Sequence, residues 1–238
     1  MGRVHFIGGE KGGVGKSFTA RLLAQYLIDR GIPFAGFDSD QSHGTFSRFY
    51  SDFTSALDVE RDSSLDGIVE FCVENPGHDV IVDLAAQTSR RLNQWLEEGD
   101  ILELFSEFDI PVYFWHVMDD GADSKNLLDK TLERYGDQPL NFVVVENLGR
   151  GEDFERFEQS STHEKAQLRN AAFLTLDRLQ SELTKKIDFD NSSFWAAANN
   201  QEGMSITERQ RVRVWLKNSY AKLDGALAAQ PLAEELPA

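Results

Sequence analysis

The densest chemical signal in the chain is the run Gly8-Gly9-Glu10-Lys11-Gly12-Gly13-Val14-Gly15-Lys16-Ser17. Glycines let a backbone curl so that successive N–H groups face an anion, and a helix that starts where the curl ends adds partial positive charge. A lysine after the last glycine can then reach the β and γ phosphates of a nucleotide, and the next hydroxyl can bind Mg²⁺; here those positions are Lys16 and Ser17. The full pattern G-x-x-x-x-G-K-[ST] asks for glycine where Glu10 stands, so only its functional end, Gly-Val-Gly-Lys-Ser, is intact. Nucleotide contacts are expected from Gly12, Gly13, Val14, Gly15, Lys16, Ser17 and Phe18.

Phosphoryl transfer to water also needs a group that orients the nucleophile and groups that hold Mg²⁺. The run Phe37-Asp38-Ser39-Asp40-Gln41 places two carboxylates at the end of a strand-like segment, and Asp40 is the candidate for orienting water. The apolar run Asp79-Val-Ile-Val-Asp83 has the form of a buried strand that delivers one acid towards a magnesium ion, often through water, so Asp83 joins Ser17 on the metal side. Other chemistries find no support. The five histidines show no metal-ligand spacing, no G-x-S-x-G serine is present, and the single cysteine, Cys72, excludes an intrachain disulfide and a four-thiolate zinc site.

These residues need a scaffold, and short apolar runs alternating with amphipathic stretches predict one: an α/β, doubly wound, mainly parallel sheet with helices on both faces. Strands are expected at 4–8, 33–38, 79–84, 111–117 and 141–146, and helices at 17–30, 64–74, 89–98, 122–135 and 207–227. Gly31 stops the first helix, making a βαβ unit around the glycine-rich loop. Residues 148–170 read as a polar surface excursion, helical in part. The length of 238 residues suits a single domain over 1–230, with 231–238 a disordered tail. With 24 Lys+Arg against 40 Asp+Glu, the net charge of -16 argues against a surface coated for phosphate binding, although a local basic patch is compatible with it. No apolar run is long enough to span a bilayer and no leader precedes the first strand, so a soluble cytoplasmic protein is expected.

The stretch Lys11-Gly-Gly-Val-Gly-Lys-Ser17, with a lysine five residues before Lys16, resembles the deviant Walker A motif of the ParA/MinD ATPases, members of the P-loop NTPase fold. The resemblance implies ATP and Mg²⁺ as ligands and an ATP-sandwich homodimer in which Lys11 acts in trans on the partner subunit's phosphates. It also likens Asp38-Ser-Asp40 to switch I, with Asp40 positioning water and Asp38 contributing to the metal surroundings. Residues 85–88 would be switch II, where Ala85-Ala86-Gln87 departs from the glycine or proline common in the family. Asn147 matches an asparagine that contacts adenine in related ATPases, and it also suits a plain turn. The stretch FDSDQSHGTF, the segment Asp120–Ser124 and ERQRVRVWL are similar to the plasmid mobilisation, transfer and stability ATPases of the TraL, MobD and StbB kind.

The implied function is a Mg-ATP-dependent dimerising switch, slow and stimulated by a partner protein, that positions, partitions or mobilises a cargo such as plasmid DNA or a protein complex. Two alternatives stand beside it: an ATP-dependent small-molecule ligase of the dethiobiotin synthetase type, and an adaptor that holds ATP without turnover. A redox carrier like the nitrogenase iron protein lacks its cysteines. Phe46, Phe49, Tyr50 and Phe53 recur at helical spacing and read either as a buried face or as an exposed docking patch. In the last helix Arg209, Arg211, Arg213 and Lys217 form a local basic excess that suits non-specific DNA, while Val212, Trp215, Leu216, Leu223 and Leu227 suit packing on the core. A membrane is a poorer fit than DNA.

Overall fold

A strand covered on both faces has no solvent side to keep polar, and the central strands of this chain accordingly read as nearly continuous apolar runs, interrupted by His5 in the first and His116 in the fourth of the expected strands. In the computed structural model, which describes residues 2–228 except 41, 43 and 137, β1 (Val4–Gly8), β4 (Asp79–Asp83) and β5 (Val112–Met118) are buried at every residue. With β2 (Phe34–Asp38), β3 (Thr54–Ala56), β6 (Asn141–Asn147) and β7 (Ala172–Leu176) they form one seven-stranded sheet in the order β3-β2-β4-β1-β5-β6-β7. Every neighbouring pair is parallel, with Ile7 opposite Asp83 and Gly8 opposite His116. The expected tail at 231–238 lies outside the described residues.

Alternate side chains feed two cores. Ile7, Ile81, Trp115, Val117, Val143 and Val145 face one layer, built from α1 (Lys16–Arg30), α2 (Thr45–Phe49), α9 (Ser181–Phe189), α10 (Phe194–Asn199) and α11 (Ile206–Ala228). Phe6, Val80, Val82, Phe114, Phe142 and Val144 face the other, which gathers α3 (Asp62–Glu74), α4 (Ser89–Glu98), α5 (Ile101–Glu107), α6 (Ala122–Arg134), α7 (Glu155–Glu158) and α8 (Ser161–Leu168). The polar segment after β6 thus contains two short helices. Gly31, at φ 67°, closes α1 by donating to the Ile28 carbonyl while Ile32 donates to Leu27.

The aromatic run after β2 divides. Phe46, Phe49 and Tyr50 are buried, whereas Phe53 is 43% exposed and stacks on Phe34 at 5.1 Å. In α11, Val212, Trp215, Leu216, Leu223 and Leu227 are all buried, leaving Arg211, Arg213 and Lys217 on the solvent side, and Arg209 donates to the Met204 carbonyl at 2.7 Å. Among the described residues no helix is long and apolar enough to cross a membrane.

Because all strands run the same way, the segments leaving β1, β2, β4, β5 and β6 emerge at one edge of the sheet, where ligands of open α/β folds bind.

Candidate nucleotide site

The glycine-rich loop joins β1 to α1 and is bent at Gly9 (φ 117°), Gly13 (φ 80°) and Gly15 (φ 105°), backbone conformations that side chains disfavour. A Cβ on Gly12 or Gly13 would meet nothing within 4 Å, so this stretch borders open space, as a cradle for a ligand must. Gly15 is different. A Cβ there would collide with the Asn147 amide, which packs against the loop.

Lys16 is 8% exposed, and its ammonium lies across the loop, donating to the Lys11 carbonyl at 3.0 Å. Burial draws its pKa down, while Asp83 and Asp40 push the other way. Lys11 turns away from the loop and pairs with Asp119, just past β5, at 2.7 Å. That hydrogen bond raises the Lys11 pKa. Asp119 is itself held by the Ser124 hydroxyl at 2.6 Å and the Gly121 N–H at 3.2 Å.

The acidic side of the site comes from β2 and β4. Asp38, 2% exposed, accepts the Asp40 N–H on one oxygen at 3.0 Å and the Ser47 N–H on the other at 2.9 Å, so it shapes switch I and anchors α2. Asp40 accepts the Ser42 N–H at 3.0 Å. Asp83 is 2% exposed, and its Oδ1 is buried without a hydrogen-bond partner. Burial pushes its pKa up to about 7, against the pull of the Ser17 hydroxyl and Lys16. An orphaned carboxylate oxygen beside a serine hydroxyl offers oxygen ligands of the kind a hydrated Mg²⁺ takes, and the neighbouring Lys16 ammonium suits phosphate oxygens. The described residues contain no cluster of three or more His, Cys, Asp or Glu side chains able to hold a metal by themselves.

Ser39, unremarked in the sequence because it is the middle letter of D-x-D, joins the two acidic strands. Its N–H donates to the Asp83 carbonyl at 3.0 Å, and its hydroxyl accepts the Ala85 N–H at 2.7 Å. The segment after β4 then turns through Gln87 at φ 68°, a left-handed position that favours glycine, before the Thr88 hydroxyl closes the turn on the Ala85 carbonyl at 2.8 Å. Behind the loop, His116 is buried and donates its Nε2–H to the Ser124 carbonyl at 3.0 Å; burial lowers its pKa to about 4, leaving it neutral at pH 7.

Asn147, 4% exposed, spends its amide on the protein. Its Nδ2 donates to the Val14 carbonyl at 2.7 Å and its Oδ1 accepts the Gly149 N–H at 2.9 Å. The residue braces the loop and at the same time lines a cavity with Phe18, Arg150, Leu179 and Asp188. The structure therefore gathers Lys16, Ser17, Asp38, Asp40 and Asp83 at one end of the sheet, and sets Phe18 and Asn147 on the adjoining cavity. The basic residues of α11 belong to a separate surface. Asp119 and Arg150 carry no motif; a polar residue directly after a buried strand was the only available signal for Asp119.

No family model matches this sequence. Protein MobD of Acidithiobacillus ferrooxidans is 23% identical over 229 residues, covering 94% of this chain and 97% of that protein. A protein TraL of Escherichia coli is 26% identical over 251 aligned positions, covering 95% of this chain and 99% of that protein. Among solved structures, the MinD cell division protein of Aquifex aeolicus aligns with a TM-score of 0.55 at 14% identity, across 99% of this chain and 98% of that one. At such identity the structural likeness establishes the fold, a P-loop α/β sheet.

Proposed function

We propose that this chain, which shares its fold with MinD and aligns over nearly its whole length with relatives named MobD and TraL, is an ATPase switch of the ParA/MinD kind: Mg-ATP drives it into a homodimer and hydrolysis releases it. The observation that carries the reading is the meeting of a glycine cradle, Lys16 and the orphaned Asp83 oxygen at the ends of β1 and β4.

In this reading the loop N–H groups between Gly12 and Ser17 take the phosphates. Lys16 exchanges the Lys11 carbonyl for phosphate oxygens and neutralises charge that builds up on them. Ser17 and Asp83 would hold Mg²⁺, with Asp38 keeping switch I in place behind them; the ion would supply positive charge against the phosphates. Asp40, half-buried at the end of switch I, orients the attacking water. Lys11 releases Asp119 and crosses to the partner subunit's phosphates. The cargo is plasmid DNA or a protein complex, and the solvent face of α11, with Arg211, Arg213 and Lys217, is the surface offered to DNA. A partner protein stimulates turnover.

Light scattering with ADP, ATP and Mg²⁺, alongside phosphate release, tests this. Wild type is expected to dimerise only with Mg-ATP, Asp40→Ala to stay trapped as the dimer, and Lys11→Ala to remain monomeric. A chain that hydrolyses ATP while monomeric throughout overturns the sandwich dimer and favours a small-molecule ligase.

A further inference from the structure

The segment that follows β6 is built more tightly than a connecting loop requires. The Asn147 carbonyl accepts the N–H groups of Arg150 and Gly151 at 2.9 and 3.0 Å, and the Leu148 N–H bonds the Leu176 carbonyl at 3.0 Å. Gly151 lies so close to Asp120 that a Cβ would come within 2.7 Å of its backbone nitrogen, and the Asp120 carboxylate then takes the Glu152 N–H at 2.9 Å. The product of this construction is the placement of one side chain. Arg150 is exposed, yet its Cγ stands 3.9 Å from the Cβ position of Gly15, at the mouth of the cavity that holds Phe18.

Of the other charged groups lining that cavity, all but Lys185 are committed. Asp177 pairs with Lys222 at 2.7 Å and Asp188 with Arg21 at 2.8 Å. Arg178 donates to the Leu148 carbonyl at 3.0 Å and pairs with Glu152 at 3.2 Å. Among the described residues, nothing takes a hydrogen bond from the Arg150 guanidinium. Arg150 also stands on the flank of the loop that carries Asn147, away from Gly12 and Gly13, where the cradle is open. A planar, weakly hydrated guanidinium can stack on the face of a flat heterocycle, and its place on the Phe18 cavity, off the open Gly12–Gly13 cradle, sets it on the base side of a nucleotide and not the phosphate side.

We propose that Arg150 is a nucleotide-binding residue that closes over the base, stacking its guanidinium on the purine ring in the Phe18 cavity. This rests on the nucleotide-site reading above and adds to it a residue that holds the base and not the phosphates. Calorimetric titration of the full chain with Mg²⁺ and ATP, ADP or inorganic tripolyphosphate tests it, for wild type, Arg150→Ala and Arg150→Lys. Stacking predicts that Arg150→Ala weakens ATP and ADP alike by about tenfold, that tripolyphosphate binding is unchanged, and that Arg150→Lys, which keeps the charge and loses the plane, recovers little. Unchanged ATP affinity, an equal loss for tripolyphosphate, or full recovery with lysine overturns the proposal. Wild type that binds no ATP at all would instead sink the nucleotide site itself. Because Arg150 is exposed and its own hydrogen bonds to the fold are backbone ones, both variants are expected to melt like wild type without nucleotide.

Discussion

Replacing Asp83 by asparagine and measuring stability across pH, in metal-free buffer without nucleotide, probes the acidic cluster directly. The carboxyl is raised from its ordinary 3.8 to about 7, chiefly by burial. In the unfolded chain it ionises near pH 4. Between those values the folded protein holds one more proton than the unfolded one, so its stability falls as pH rises and levels off above about pH 7. At about 1.4 kcal/mol per pH unit, the whole gap costs wild type about 4 kcal/mol by pH 8 and about 2 kcal/mol by pH 5.5. Asparagine keeps the shape and removes the charge, and every other titrating group is shared, so the difference between the two proteins isolates this one. Urea unfolding in EDTA should find Asp83→Asn more stable than wild type by about 2 kcal/mol at pH 5.5 and about 4 kcal/mol at pH 8. A difference that is the same at both pH values, or that shrinks as pH rises, refutes the argument that a buried, uncompensated charge sits here. Adding Mg²⁺ with nucleotide should reverse the order at pH 8, by stabilising wild type alone.

Other perturbations follow from single contacts. Gly15→Ala forces a side chain into a left-handed backbone and onto the Asn147 amide, and is expected to cost about 1–2 kcal/mol in chemical denaturation and to abolish ATP binding in titration. Gln87→Gly relieves the left-handed position in switch II and should raise the denaturation midpoint by the equivalent of about 0.5–1 kcal/mol. Phe46→Ala, at a fully buried ring, should cost about 3–5 kcal/mol, and Phe53→Ala, 43% exposed, far less, a contrast that thermal melts read directly. Lys11→Ala removes a partly exposed ion pair with Asp119 and should change monomer stability by under about 1 kcal/mol, so any loss of the dimer cannot be charged to misfolding.

The central strands were legible because a strand buried on both faces reads as a nearly continuous apolar run, and β1, β4, β5 and β6 do, apart from His5, His116, Glu146 and the acids or asparagines at the ends of β4 and β6. The edges were not. Thr54-Ser-Ala in β3 has no apolar run to detect, and Ala172–Leu176 alternates buried and half-buried residues next to a polar stretch. The short helices α5, α9 and α10, of 7, 9 and 6 residues, offer too few turns for a period to emerge. In the site, the glycine-rich loop and its acids carry their chemistry in residue type and spacing, which survive in one dimension. Ser39, Asp119 and Arg150 acquire theirs only when β2 meets β4, when the end of β5 meets Lys11, and when the loop after β6 meets Gly15. Asn147 shows the converse: an amide that suits a base edge in sequence terms has its two ends occupied by Val14 and Gly149.

Ser39 has a mechanical meaning beyond its two hydrogen bonds. Through its backbone it clasps the end of β4, and through its hydroxyl it clasps the first residue of switch II, while the acids on either side of it belong to switch I. The two switches are therefore geared together by one buried oxygen. On the proposed function, a displacement of Asp40 is expected to reach Ala85 through Ser39, so that both segments report the nucleotide together as a single two-position signal.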